Sequence, residues 1–159
     1  MTTGPTRSQI MQAVGRSNTR PELAVRRILH GLGLRFRLHR KDLPGTPDIV
    51  LPRYQTAVFV HGCFWHRHEG CSRTTTPKTR ADFWSRKFQQ NVARDRKNEE
   101  LLTASGWSVL TVWECETKRP GDLRSRLAET FSVKAEPLMV ATRNAMTNIR
   151  PAPGHQRSK

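Results

Sequence analysis

Leu23, Ala24, Ile28, Leu29 and Leu32 recur at helical spacing. Thr19-Arg20-Pro21-Glu22 just ahead has the form of a capping box with proline tolerated in the first turn, and Gly31 and Gly33 stop the run. An earlier polar stretch, Arg7 to Val14, carries Ile10, Met11 and Val14 at a spacing that suits one side of a short helix. Arg35-Phe36-Arg37-Leu38 alternates as a half-buried strand does. After the turn-rich Leu43-Pro44-Gly45-Thr46-Pro47, Asp48-Ile49-Val50-Leu51 reads as a short strand opened by an acid, and Ala57-Val58-Phe59-Val60 as a central strand. A long polar helix begins near Arg80. Trp84, Phe88, Val92 and Leu102 share its apolar face, Arg86, Lys87, Arg94, Arg96 and Lys97 lie largely elsewhere, and Gly106 ends it. Trp107 to Trp113 predicts a further strand and Asp122 to Phe131 a last helix. This order predicts an α/β domain, a mixed sheet with helices on its faces.

The chain's 159 residues suit one domain with a core of its own, without help from disulfides. Residues 132–159 differ in character, with five bases against one acid and several prolines, and read as a basic, mostly unstructured tail beyond a domain of residues 1–131. The net charge is +15, of which +11 remains once the tail is set aside, so the domain itself favours a polyanionic partner. No apolar run is long enough to span a membrane, and the first residues lack the layout of a signal peptide, so a cytoplasmic placement is expected. Three cysteines, an odd number, point to metal binding or idle thiols in a reducing compartment rather than to a disulfide scaffold.

The segment His61 to Cys71 packs three of the six histidines and two of the three cysteines into eleven residues. Cys63, His68 and Cys71 can supply three zinc ligands from one loop, and Cys115, after a predicted strand, can complete a Cys3His set. The alternative is that Cys63 and Cys71 are merely small loop residues. His61 and His66 flank the end of one predicted strand, and Asp48 opens its neighbour. An acid offers Mg2+ a hard oxygen, and a histidine can take a proton from water, so the trio suits phosphodiester hydrolysis. Each histidine taken alone is equally a loop residue with an ordinary hydrogen bond, or another zinc ligand. Phe64 and Trp65 sit inside this polar loop, where they serve either as wedges between base steps or as cover for the metal.

Leu43-Pro-Gly-Thr-Pro-Asp48-Ile-Val, Val58-Phe-Val-His61-Gly-Cys-Phe-Trp-His66, Asp82-Phe-Trp84, Asn91-Val-Ala-Arg-Asp95 and Gly106-Trp-x-Val-Leu-x-Val-Trp-Glu-Cys115 together resemble the very short patch repair endonucleases. These bacterial enzymes nick DNA beside a T opposite G. The resemblance runs from about Thr6 to Phe131. It implies the restriction-endonuclease-like fold, a mixed sheet flanked by helices, with a structural zinc site. It also implies that Asp48 holds Mg2+ together with the main-chain carbonyl of Val60, that His66 is the general base, that His61 helps at the scissile phosphate, and that Glu22 supports the site from the first long helix. Cys63, His68, Cys71 and Cys115 match the structural zinc ligands. Phe64, Trp65 and Trp84 match aromatics that enter the DNA stack, Met11 and Val14 lie where an N-terminal helix pushes into the opposite groove, and Lys87 and Asn91 match DNA contacts. Many members carry threonine where this chain has Val60; a carbonyl contact is indifferent to that change, whereas a hydroxyl contact would be lost. The loop Arg67 to Cys71 is also less histidine-rich than in relatives, so His68 rather than His66 stands as zinc ligand by analogy.

The expected activity is a Mg2+-dependent nick 5′ of the mispaired T in T·G pairs left by deamination of 5-methylcytosine. Arg80, Lys87, Arg94 and Arg96 would anchor phosphates. Double-stranded DNA carrying the mismatch is the expected partner, alongside mismatch-repair proteins. Monomeric action is expected because one mismatch lacks two-fold symmetry. Two rivals stand beside this reading: a restriction-type or modification-linked nuclease acting on paired DNA, and a zinc-stabilised DNA-binding module without catalysis.

Overall fold

The computed structural model describes residues 17–132. Helix α1, Arg20–Gly31, starts at a complete capping box: Glu22 N–H donates to the Thr19 hydroxyl and the Glu22 side chain reaches back to the Thr19 backbone. It ends where Leu32 leaves helical geometry and Gly33 adopts φ +74°, the left-handed region that glycine enters without strain. Four short strands follow as β1 (Arg37–Leu38), β2 (Ile49–Leu51), β3 (Thr56–His61) and β4 (Ser108–Trp113). They form one mixed sheet in chain order, antiparallel through β3 and then parallel between β3 and β4. The parallel pair needs a crossover, and helix α2, Ala81–Ala104, lies within it. Helix α3, Pro120–Thr130, closes the described fold.

Strand alternation divides the sheet into two faces. Ile49, Leu51, Val58 and Val112 pack with Val25 and Leu29 of α1 and with Leu123 and Leu127 of α3 into one apolar core. On the alternate positions, His61 and Trp113 turn to the other face, over which α2 passes. The start of antiparallel β2 lies at the same end of the sheet as the carboxyl ends of β3 and β4, where open α/β sheets hold their ligands. Asp48, His61 and Cys115 are therefore brought to one end by topology.

Several sequence expectations change. Strand β1 is only Arg37–Leu38, both exposed; Arg35 and Phe36 precede it, and Trp107 likewise precedes β4. Leu23 is exposed, and Val25 faces the core instead. On α2, Val92 is 44% exposed and Asn91 is the buried residue of that turn. The short helix expected over Arg7 to Val14, with Met11 and Val14, lies outside the described residues, as does the tail from residue 133.

Candidate active site and metal cluster

Of the residues in α2, only Trp84, Phe88, Asn91, Asp95, Asn98 and Leu102 are not exposed. Their spacing of four and three alternately draws one stripe down the helix. Apolar periodicity alone misses it, because the middle of the stripe is polar. Each polar member has a partner in the site. Asn91 donates to the Trp65 carbonyl at 3.3 Å, Asp95 pairs with His66 Nδ1, and Asn98 packs against Gly45 in the loop that leads into Asp48.

His66 is thereby held by a carboxylate on Nδ1, which leaves Nε2 as its free nitrogen, the arrangement of an oriented general base. Its ring stacks on His61 with centroids 3.8 Å apart and planes 6° from parallel. Burial, and then the neighbouring His66, push His61 down to about 4, so His61 is neutral at pH 7. Burial raises the Asp95 carboxyl, but the hydrogen bond and charge of His66 outweigh it and leave Asp95 below the ordinary value. The donor atoms of His61, His66 and Asp95 lie within 4.8 Å of one another. Two stacked rings cannot both aim in-plane lone pairs at one ion between them, so this trio suits proton handling better than metal binding.

Asp48 lies just before β2 with Oδ2 accepting the Val60 N–H at 2.7 Å. Burial lifts its carboxyl to about 6, partly opposed by that N–H; Glu22 raises it further, and His39 and His66 act against the rise. The His61 carbonyl accepts from Glu114 on the β4 side, so alternation turns the Val60 carbonyl to the β2 side, where its N–H already meets Asp48. A carboxylate and a main-chain carbonyl directed to one place form an oxygen donor set of the kind Mg2+ takes. Glu22 is 3% exposed. Its Oε1 accepts from the Thr19 hydroxyl at 2.9 Å, and its Oε2 from Asn18 N–H at 2.9 Å and Arg26 at 3.0 Å. Capping and proximity to Asp48 thus coexist in one side chain.

Cys63, His68, Cys71 and Cys115 bring their ligand atoms within 4.8 Å of one another. His68 Nδ1 is 3.7 Å from Cys63 Sγ and 3.4 Å from Cys115 Sγ. A tetrahedral zinc with ordinary bond lengths sets such sulfur–nitrogen edges at about 3.6 Å. The donor set and its spacing fit a structural zinc, and His66 stands apart from it with Asp95. Burial first, and then the side chains of Cys115 and Cys71, push the Cys63 thiol up to about 12, partly opposed by the Cys115 main chain; binding as a thiolate to a cation would reverse that cost. His68 also stacks on Trp113 at 4.2 Å, and Trp113 meets His61 edge-on at 5.5 Å, so a column of rings joins the cysteine cluster to the histidine pair.

Phe64 packs edge to face against Trp65, Trp84 and Phe88, with ring centroids 5.1 Å from Phe88 and 5.7 Å from Trp84, while Trp84 and Phe88 stack on each other. Arg67 lies over Phe88 at 4.3 Å and donates to the Thr75 carbonyl and the Thr76 hydroxyl, tying the loop down. These aromatics therefore stack on one another beside the cysteine cluster. Lys87 is exposed, and the Asn91 amide donates to the Trp65 carbonyl. Sequence reasoning gave no role to Asp95, His39 or Arg26. The available signal for Asp95 was a lone acid between Arg94 and Arg96, one helical turn from Asn91.

A family model described as DNA mismatch endonuclease Vsr matches residues 1–73. The chain is 56% identical over 121 residues to the type II nicking enzyme V.XorIIP of Xanthomonas oryzae pv. oryzae, covering 76% of this chain and 88% of that protein. It is 45% identical over 121 residues to the type II nicking enzyme V.NmeAIP of Neisseria meningitidis, covering 76% of this chain and 86% of that one. Against the DNA mismatch endonuclease Vsr of Escherichia coli K12 the identity is 44% over 110 residues, covering 69% and 70%. With these similarities laid over the Asp48, His66 and cysteine clusters, the chain belongs to the Vsr family of DNA endonucleases.

Proposed function

We propose that this protein is a Mg2+-dependent, strand-specific nicking enzyme that cuts 5′ of the T in T·G mismatches arising from 5-methylcytosine deamination and so begins a short repair patch. The observation that carries the reading is His66, oriented by Asp95, at the same end of the sheet as Asp48. Asp48 and the Val60 carbonyl would hold Mg2+, which when bound stabilises charge on the phosphate. His66 accepts the proton of the attacking water at Nε2, and Asp95 stabilises the imidazolium that results. His61 stays neutral, fixes the plane of His66 by stacking and can donate to a phosphate oxygen. Cys63, His68, Cys71 and Cys115 would hold a structural zinc that anchors the loop carrying His66.

Phe64, Trp65 and Trp84 are the wedge in this reading, and their mutual stacking is what they exchange for stacking with bases. A T·G wobble parts more cheaply than a Watson–Crick step, which makes the exchange selective. Exposed Lys87, and Arg80, Arg94 and Arg96 after release from Phe83, Asp95 and Glu100, would hold phosphates. Residues 1–131 are the endonuclease domain, acting as a monomer in the bacterial cytoplasm beside the nucleoid, with mismatch-repair proteins as further partners.

The type II nicking enzymes among the relatives favour a second reading, in which the same site acts on paired or methylated duplex. Cleavage of end-labelled duplexes carrying T·G, T·A or methyl-C·G in one sequence context separates the two. The proposal predicts a Mg2+-dependent nick in the T strand of the T·G duplex only. Equal cutting of paired duplexes would move the substrate to the second reading.

A further inference from the structure

Ligand atoms of Glu22, His39 and Asp48 lie within 4.8 Å of one another, so on distance alone a carboxylate–histidine–carboxylate site stands beside the proposed Mg2+ position. Part of it is already filled. Arg26, one turn after Glu22 on α1, sets Nη2 3.0 Å from Glu22 Oε2 and 3.0 Å from His39 Nε2, while its Nη1 donates to the Asn18 side chain at 2.7 Å. Its side chain is only 12% exposed and that of Glu22 4%. A guanidinium has donors and no lone pair, so His39 Nε2 must be the acceptor, and a lone pair given to Arg26 is not available to a metal. Glu22 Oε2 is likewise used twice over, by Arg26 and by the Asn18 N–H.

We infer that Arg26 is a built-in plug: its guanidinium sits between Glu22 and His39 and prevents them from joining Asp48 in a three-ligand cation site. The inference rests on the reading of Asp48 as the cation-holding carboxylate. Its consequence is metal selectivity. With the plug in place the ion meets one open carboxylate and a carbonyl, an all-oxygen set that suits Mg2+. Without it, an imidazole and a second carboxylate are released, and that mixed set favours first-row transition ions over Mg2+. Arg26 also cancels the Glu22 charge, which keeps the local charge near that of Asp48 alone and the affinity for any free divalent ion low. Arg26 is therefore a specificity-determining residue that touches neither substrate nor ion.

The test is Mn2+ binding to the full-length, zinc-loaded protein without DNA, followed by electron paramagnetic resonance, with circular dichroism and melting as checks on folding. Arg26→Gln is expected to bind Mn2+ about tenfold more tightly than wild type or better, with a much smaller gain for Mg2+. The part of the gain peculiar to Mn2+ should vanish in the Arg26→Gln, His39→Gln double variant, leaving only the small gain that the freed Glu22 charge gives Mn2+ and Mg2+ alike. His39→Asn alone should leave Mn2+ affinity unchanged, because His39 is not a ligand while Arg26 is present. A folded Arg26→Gln with unchanged or weaker Mn2+ binding overturns the plug, and so does weaker binding in His39→Asn, which keeps the test decisive even if the Arg26 variant fails to fold. Asp48→Asn is the separate control: if it binds Mn2+ as wild type does, the reading of Asp48 fails rather than the role of Arg26.

Discussion

Asp48 and His61 carry opposite pH signatures. Asp48, held at about 6 against its ordinary 3.8, binds its proton more tightly in the fold than in the unfolded chain. Its contribution to stability is complete below that lower value and is lost as pH rises through about 6. His61, held at about 4 against 6.5, binds its proton less tightly in the fold, so its contribution is complete above the higher value and is lost as pH falls through about 4. Each shift corresponds to about 3 kcal/mol, and in the Mg2+-free wild type the two largely offset. Relative to wild type, Asp48→Asn should therefore gain about 3 kcal/mol between roughly pH 4 and pH 7 in denaturant melts without Mg2+. His61→Asn should gain a similar amount in the opposite direction, as pH falls. Parallel pH profiles for both variants and wild type would contradict the burial of these groups. Asp95 acts on rate instead. Asp95→Asn keeps a hydrogen-bond partner on His66 but removes the charge that supports the imidazolium. Single-turnover cleavage should fall roughly a hundredfold or more while DNA affinity stays near wild type.

The element that assembles the site is α2, whose inward stripe meets the aromatic group, His66 and the loop before Asp48 in succession. Gly45 shows how tight the last of these contacts is. A Cβ at Gly45 would lie 2.7 Å from Asn98 Nδ2, and its φ of +74° disfavours a side chain in any case. Gly45→Ala should cost about 1–3 kcal/mol in thermal or urea melts, and adding Asn98→Ala should recover the steric part only. A Gly45→Ala protein as stable as wild type would mean the loop is not packed on α2. The cysteine cluster ties a second pair of elements, because Cys115 follows β4 and the other ligands lie in the loop after β3. Cys115→Ser should reduce bound zinc from about one equivalent towards none and lower the melting temperature, measured by metal analysis and calorimetry. Undiminished zinc in that variant would reassign the ligands.

How far the sequence foretells these elements follows from what each signal reports. The capping box of α1, the strands around Val50, Val58 and Val112, and the convergence of three cysteines and His68 were all legible, because side-chain type at fixed spacing dictates them. The polar stripe of α2 is not legible in this way: apolar periodicity selects Val92 and passes over Asn91 and Asp95, since a face that covers a polar site need not be apolar. Arg26 and His39 escaped for another reason. They are thirteen residues apart and meet only because the chain from α1 to β1 returns past Glu22.

For the whole molecule, the distribution of charge separates two tasks. The net charge of +15 favours DNA, whereas the site itself holds three acids at one end of the sheet, Glu22 buried and Asp48 and Asp95 half-buried. In the proposed function the basic excess draws the polyanion in, Asp95 orients His66, and Asp48 would offer a place for a cation. Among the described residues no helix is long and apolar enough to cross a membrane. The claim on which everything else depends is that Asp48 and His66 perform one strand-specific hydrolysis. The direct measurement is single-turnover cleavage of a duplex with one T·G mismatch, each strand labelled separately, with Mg2+ or with EDTA, for wild type, Asp48→Asn and His66→Ala. Wild type is expected to nick the T strand alone and only with Mg2+, and both variants to give no nick while mismatch binding persists. A nick that survives in a folded Asp48→Asn or His66→Ala protein would contradict that claim.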